Sequence, residues 1–303
     1  MNEPTTVTLA NGIELAVIDQ GPRDAPALIF LHGFPDNHRS WRHQIAHLSG
    51  RYRCIAPEQR GYHRSSKPQD VASYTPDKMI GDVFLLADAL GVDRFTIIGH
   101  DWGGAIAWGI ALGGQMNGRV TRAVIANAPH PLIFPRILWT SRQQRESSQY
   151  MRTFRDPAND ELVRQFGLAG ILMKAFGDQA SSLASDESAI LMADWEDREA
   201  AFGMLNWYRA SPMDVPPMDA PFALPEGFTQ PPMPPLTIPT LVIWALDDFA
   251  LPPVNLEGLE DVVTDLTVVK VPGSGHFVQW EAPDAVNAAL DAFLSRTDAR
   301  ADA

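Results

Sequence analysis

Phe95-Thr-Ile-Ile-Gly99-His100-Asp101-Trp102-Gly103-Gly104-Ala-Ile-Ala-Trp108 is the stretch whose reading decides the fold. An apolar, β-branched run from Phe95 to Ile98 meets a glycine, and a small-residue helical pattern follows Gly103. The pattern predicts a strand, a sharp turn and a helix, with Asp101 at the apex between Gly99 and Gly103. A reversal that tight brings backbone against backbone, so a Cβ at either flank would clash. The turn pushes the Asp101 side chain outward beside a helix N-terminus, where a negative charge is favoured. A glycine-flanked Asp can also be a simple turn or helix cap, so its partners decide between the two readings.

The residue at the apex restricts the chemistry. A serine there would attack acyl carbon and leave an acyl-enzyme. A carboxylate is a poor acyl acceptor, but it can displace a leaving group from saturated carbon and form an alkyl ester. Water activated by a histidine must then hydrolyse that ester. The leaving group this predicts is an epoxide oxygen or a halide.

At 303 residues the chain is long enough to bury a large core as one α/β domain carrying an insertion. A net charge of −13 argues against nucleic acid or an anionic membrane as partner. Cys54 is the single cysteine, which excludes an intrachain disulfide framework and suits a reducing compartment. The first residues, Met1-Asn-Glu-Pro-Thr-Thr, carry no basic or apolar signal segment, and no apolar run is long enough to span a membrane. The expectation is a soluble, cytoplasmic protein, with a homodimer left open.

Outward from the elbow, β and α patterns alternate. Thr5–Leu9 and Glu14–Asp19 predict strands joined through the Asn11-Gly12 turn. Ala27–Leu31 is a continuous apolar strand that ends in His32-Gly33-Phe34-Pro35, a loop with free backbone N–H groups and a candidate cis proline. Ser40–Leu48 reads as a helix, Arg53–Ala56 as a strand and Arg60–Pro68 as a loop. Thr75-Pro76-Asp77 opens a helix to Leu90, stopped at Gly91. Val120–Ala126 is the sixth strand.

The alternation then breaks. Residues 131–210 are helical in pattern, with Glu161–Phe176 and Ser188–Tyr208 as the clearest helices. Ser211–Pro239 is dense in proline and methionine and predicts an exposed, partly extended connector. The β/α pattern resumes with strands Thr240–Leu246 and Leu266–Val271, and a helix from Pro283 to Leu294 precedes a polar tail after Arg296. The domains expected are a core of residues 1–130 and 236–303 and a helical cap of residues 131–235 with its Pro-rich return. No repeat, GxGxxG, P-loop or HExxH pattern occurs, so neither a cofactor nor a metal is expected.

Asp101, then Asp247 or Asp248, then His276 fall in loops after successive apolar strands. Active sites of parallel sheets gather at those strand ends. His276, after Gly273 and Gly275 and before Phe277, would be the base that activates water, and an acid behind it would hold its tautomer.

With these residues in place, the chain from His32 to about Pro283 resembles the epoxide hydrolase branch of the α/β-hydrolases. The resemblance is carried by His32-Gly-Phe-Pro35, Arg60-Gly-Tyr-His-Arg-Ser-Ser-Lys-Pro68, Gly99-His-Asp-Trp-Gly-Gly104, Asn127-Ala-Pro-His-Pro131 and Gly275-His-Phe-Val-Gln-Trp-Glu281. It implies an α/β-hydrolase fold, with a mostly parallel doubly wound sheet and a helical cap inserted after the sixth strand. It also implies Asp101 as nucleophile and His276 as base. Trp244-Ala-Leu-Asp-Asp-Phe249 places the acid on Asp248, although Ala245 stands where the family often has Gly, which keeps Asp247 open. Asn127 occupies the alternative acid position of some relatives and cannot serve as one.

Two cap tyrosines that hydrogen-bond the epoxide oxygen are a further feature of that branch. Leu205-Asn-Trp-Tyr208-Arg209 and Gln149-Tyr150-Met-Arg-Thr-Phe-Arg-Asp-Pro157 resemble the two segments. A phenol with a pKa near ~10 is a suitable donor to an alkoxide; the alternative is that both rings only pack. The fold implies an oxyanion hole from the backbone N–H groups of Phe34 and Trp102. Phe34, Trp102 and Pro35 are expected to line the pocket for a small apolar epoxide, with water as co-substrate. Haloalkane dehalogenases share the nucleophile and base, but their second halide donor, often Asn, is here Phe34, and they leave the tyrosine pair unexplained. A catalytically silent binding protein of this fold would have lost a triad member, and none is missing.

Overall fold

The computed structural model describes residues 2–177, 183 and 187–301. Eight strands form one sheet: β1 (Thr5–Thr8), β2 (Glu14–Gln20), β3 (Ala27–Leu31), β4 (Arg53–Pro57), β5 (Phe95–His100), β6 (Val120–Ala126), β7 (Thr240–Ala245) and β8 (Leu266–Val271). Their order is β1-β2-β4-β3-β5-β6-β7-β8. Only the β1–β2 and β2–β4 pairings are antiparallel. Every other neighbour pair is parallel, in register from Ala27 opposite Phe95 to Ala245 opposite Val271.

The parallel strands are buried on both faces, and for that reason they read as unbroken apolar runs rather than alternating ones. Side chains of one strand alternate between two cores. Ile29, Leu31 and Ile97 face one, with Leu86 and Trp108. Leu28, Phe30 and Ile98 face the other, with Trp41 and Leu290. The helices on these faces are α1 (Arg42–Leu48), α2 (Pro76–Ala89) and α3 (Asp101–Gly114) before β6. Thr75 stands at the N-cap of α2 with Pro76 after it, but makes no side-chain capping bond there.

Between β6 and β7 the chain adds α4 (Phe134–Thr140), α5 (Arg142–Ser147), α6 (Gln149–Arg155), α7 (Asp160–Phe176), α8 (Ser188–Glu196) and α9 (Arg198–Ala210). Two of these depart from the helices expected. The predicted 161–176 helix starts at Asp160 and is kinked at Gly167, whose φ of 66° no continuous helix allows. The predicted 188–208 helix is two helices. Asp197 breaks it, with an extended backbone and a side chain that accepts from the N–H groups of Glu199 and Ala200, making it the N-cap of α9. After β7 come α10 (Leu259–Val262), α11 (Val278–Glu281) and α12 (Pro283–Ala301). The closing helix thus continues past Leu294, through the stretch expected to be a tail.

The Pro-rich segment is irregular, with turns closed by Ala220 N to Pro217 O and Phe228 N to Pro225 O; 223–227 is exposed as expected, but its start is tied down. Arg145, fully buried, donates to the carbonyls of Leu138, Trp139, Ala220 and Pro221. Arg152 donates to Val215 O and Arg155 to Met213 O. Three arginines of the insert thus use backbone carbonyls of the connector to strap it against the helices.

Candidate active site

Three strand ends build the site. At the end of β5 the chain reverses into α3 through Asp101, which adopts a φ of 51°. A non-glycine residue in that region is strained, and the surrounding turn holds it there. The close approach explains Gly103: a Cβ on it would lie 2.4 Å from the carbonyl oxygens of Leu31 and His32.

Asp101 is nearly buried and has two distinct oxygens. Oδ1 accepts from the Phe34 N–H at 2.7 Å. Oδ2 lies 3.6 Å from His276 Nε2. On the far side of the ring, His276 Nδ1 is 2.8 Å from Asp248 Oδ2. Asp248 Oδ1 accepts from the N–H groups of Ala250 and Leu251 at 2.8 and 2.9 Å. Asp247, the neighbour left open by the sequence, is exposed; Asp248 is the one that faces the histidine.

The electrostatics follow from this order. Burial disfavours the imidazolium, but Asp248 and Asp101 on either side outweigh it and push the His276 pKa up to about 10. Burial would likewise raise Asp101, yet His276, His100 and the Phe34 N–H hold its carboxyl below the usual range. The free site is therefore a carboxylate beside an imidazolium.

Tyr150 and Tyr208, on α6 and α9, stand over Asp101 from the insert, with ring centroids 6.0 Å apart. Both line two cavities that share Asp101. The larger, about 90 Å³, is bounded by apolar side chains including Trp102, Phe134, Met151, Met213 and Leu251. The smaller, about 10 Å³, runs past Phe34, Phe176, Phe249 and His276. Burial raises both phenol pKa values, so both hydroxyls stay protonated as donors. Pro35, expected in the pocket, is absent from the residues lining these two cavities; it follows a cis peptide, is buried, and offers its carbonyl to Trp195.

Sequence reasoning missed several supports. Asn127 Nδ2 donates to Asp248 Oδ2 at 2.6 Å, while its Oδ1 accepts from Ala245 N at 3.0 Å. Glu281 accepts from Gly275 N at 2.6 Å and Phe277 N at 3.0 Å, clamping the turn that carries His276. His100 Nε2 donates to the His276 carbonyl at 2.8 Å. Burial lowers the His100 pKa to about 4, so that ring is neutral. Position at the end of a parallel strand was the available signal for Asn127. Glu281 and His100 had none beyond adjacency. Among the described residues no group of three or more His, Cys, Asp and Glu side chains is arranged to hold a metal ion, and no helix is long and apolar enough to cross a membrane.

Residues 26–283 match the family described as alpha/beta hydrolase fold. An epoxide hydrolase of Caballeronia sordidicola is 34% identical, over 95% of this chain and 93% of its own. A solved structure from work on novel epoxide hydrolases in metagenomes from hot environments is 66% identical with a TM-score of 0.94, covering 97% of this chain and 99% of that one. The Bacillus megaterium epoxide hydrolase with an inhibitor is 30% identical with a TM-score of 0.81, over 96% of this chain and 100% of that one.

Proposed function

Because the chain belongs to the alpha/beta hydrolase fold family, within its epoxide hydrolases, we propose that it opens an epoxide to a vicinal diol through an ester on Asp101. The helices between β6 and β7 serve as the cap, covering residues 131–235. The observation that carries the reading is that Tyr150 and Tyr208 line both cavities beside Asp101. A halide needs no proton donor; an epoxide oxygen does, because the alkoxide it becomes is a poor leaving group.

In the first step Asp101 Oδ2 attacks an epoxide carbon from the back. The C–O bond breaks, and the tyrosine hydroxyls donate to the oxygen. Attack makes Asp101 a neutral ester, and one of the two charges that hold His276 protonated disappears. The imidazolium proton then passes to the tyrosine pair, with which His276 shares a cavity, and replaces the one given to the epoxide oxygen; the base is generated only once there is an ester to hydrolyse. In the second step water loses its proton to His276 Nε2 and attacks the ester carbonyl carbon. Negative charge builds on Oδ1, where the N–H groups of Phe34 and Trp102 receive it. Collapse breaks the ester, the departing alkoxide takes the proton from His276, and the proton left on the water-derived oxygen of the Asp101 carboxyl passes to His276, restoring the carboxylate and imidazolium; Asp248 stabilises the imidazolium. Apolar cavity walls favour small apolar epoxides. Cys54 is the single cysteine, so no intrachain disulfide is available, which suits the cytoplasmic location proposed for the protein.

His276→Gln should stall the second step. Intact mass after incubation with styrene oxide is expected to gain the whole epoxide mass on Asp101. An adduct from 1-bromobutane alone would instead assign a dehalogenase, and no adduct from either would overturn the ester mechanism.

A further inference from the structure

Phe34, the N–H donor to Asp101, sits in a loop with two sets of anchors. From the core, Trp280 Nε1 donates to Asp36 Oδ2 at 3.2 Å, and Asp36 Oδ1 accepts from Asn37 N at 2.8 Å. The other set comes from α8. Trp195 Nε1 donates to the Pro35 carbonyl at 2.8 Å. Asn37 Nδ2 donates to Asp194 Oδ2 at 2.7 Å, and Asp194 Oδ1 faces His63 Nε2 at 3.2 Å. Trp195, Asp194 and Asn37 are all buried, so each of these polar groups would be costly without its partner.

Packing α8 against the core would need none of this polarity. A buried carboxylate and a buried indole N–H are both spent on residues 35 and 37, immediately beside the oxyanion donor. Neither side chain lines the two cavities at Asp101. We infer that Trp195 and Asp194 are positioning residues, through which the cap sets the direction of the Phe34 N–H and so the rate of ester hydrolysis. This rests on the function proposed above.

The two half-reactions need that N–H unequally. During alkylation, charge leaves Asp101, and a donor on Oδ1 if anything restrains the attack. During hydrolysis, charge arrives on Oδ1, and an N–H displaced from it loses its effect. Loosening the grip should therefore slow the second step and spare the first.

The test uses the full chain with styrene oxide, quenched at successive times and read by intact mass, so that ester formation and decay are timed separately. Trp195→Phe keeps an aromatic ring and removes the N–H; Asp194→Ala removes the acceptor for Asn37, and Asp194→Asn restores an acceptor oxygen. Trp195→Phe and Asp194→Ala are expected to slow ester hydrolysis about tenfold or more while alkylation stays within about threefold, so that the ester accumulates; Asp194→Asn should recover much of the loss. Unchanged hydrolysis, or an equal fall in both steps with no recovery by Asn, would overturn the inference. If Trp195→Phe does not fold, the Asp194 pair decides the question alone. Absence of any ester in His276→Gln would instead mean that the underlying function is wrong, and the positioning role falls with it.

Discussion

Asn127 holds Asp248 from the side opposite to the protein's N–H pair, with Nδ2 to Oδ2 at 2.6 Å across the ends of β6 and β7. The amide shares with His276 the one carboxylate oxygen that faces the imidazole, and so fixes where that oxygen lies. Asn127 itself adopts a φ of 40°, a region Asn tolerates better than most residues.

Replacing Asn127 should then slow turnover through Asp248 rather than through substrate binding. Asn127→Gly removes the hydrogen bond without adding strain, and is expected to lower kcat about tenfold, ~1.4 kcal/mol, with KM little changed. Asn127→Ala should lose additional thermal stability because of its φ. Steady-state kinetics and melting curves on the two variants check both expectations.

The raised His276 pKa has a definite sign in stability. The unfolded imidazole titrates near 6.5 and the folded one at about 10. The contribution is therefore fully present below pH 6.5 and is lost as pH rises toward 10. Wild type should be most stabilised relative to His276→Gln near pH 6.5, with the gap narrowing toward pH 10. Chemical denaturation at a series of pH values measures it. In single turnovers, ester hydrolysis should show its inflection well below pH 10, because the ester no longer carries the Asp101 charge.

If the phenols protonate the epoxide oxygen, each has a cost in the first step only. Tyr150→Phe and Tyr208→Phe are each expected to slow ester formation by about 10²-fold. The double variant should be slower still, with ester decay nearly unchanged. Rapid-quench mass spectrometry with styrene oxide reports both rates, and wild-type alkylation in the double variant would remove the tyrosines from the mechanism.

The helix that carries Tyr208 rests on a glycine contact. A Cβ on Gly203 would lie 2.4 Å from the Gly61 carbonyl oxygen and 2.7 Å from its Cα. Four residues on, Trp207 Nε1 donates to Arg60 O at 2.9 Å. Gly203→Ala should push α9 off the 60–68 loop, costing about 1–3 kcal/mol of stability. Ester formation should slow as Tyr208 is displaced. Calorimetry and the same quench assay give the two readouts.

Much of this could be read along the chain because it is local. The apolar run 95–98, the glycines around Asp101 and the alternation of strands and helices are dictated by neighbours in sequence, and they determined the sheet, the elbow and the order Asp101, an aspartate at 247 or 248, then His276. The insert showed itself as the place where alternation stops. Its internal breaks at Gly167 and Asp197 were less visible, because helix-compatible residues run on either side of both, and only a backbone kink and a side-chain cap end the helices there. What tertiary structure alone decided are the bonds between residues far apart in the chain. Asn127 finds Asp248, Asp194 and Trp195 find the 35–37 loop, and Asp248 rather than Asp247 turns to His276. Each depends on where strand ends and cap helices meet in space, and hydrogen bonds of 2.6–2.8 Å have no periodicity to announce them.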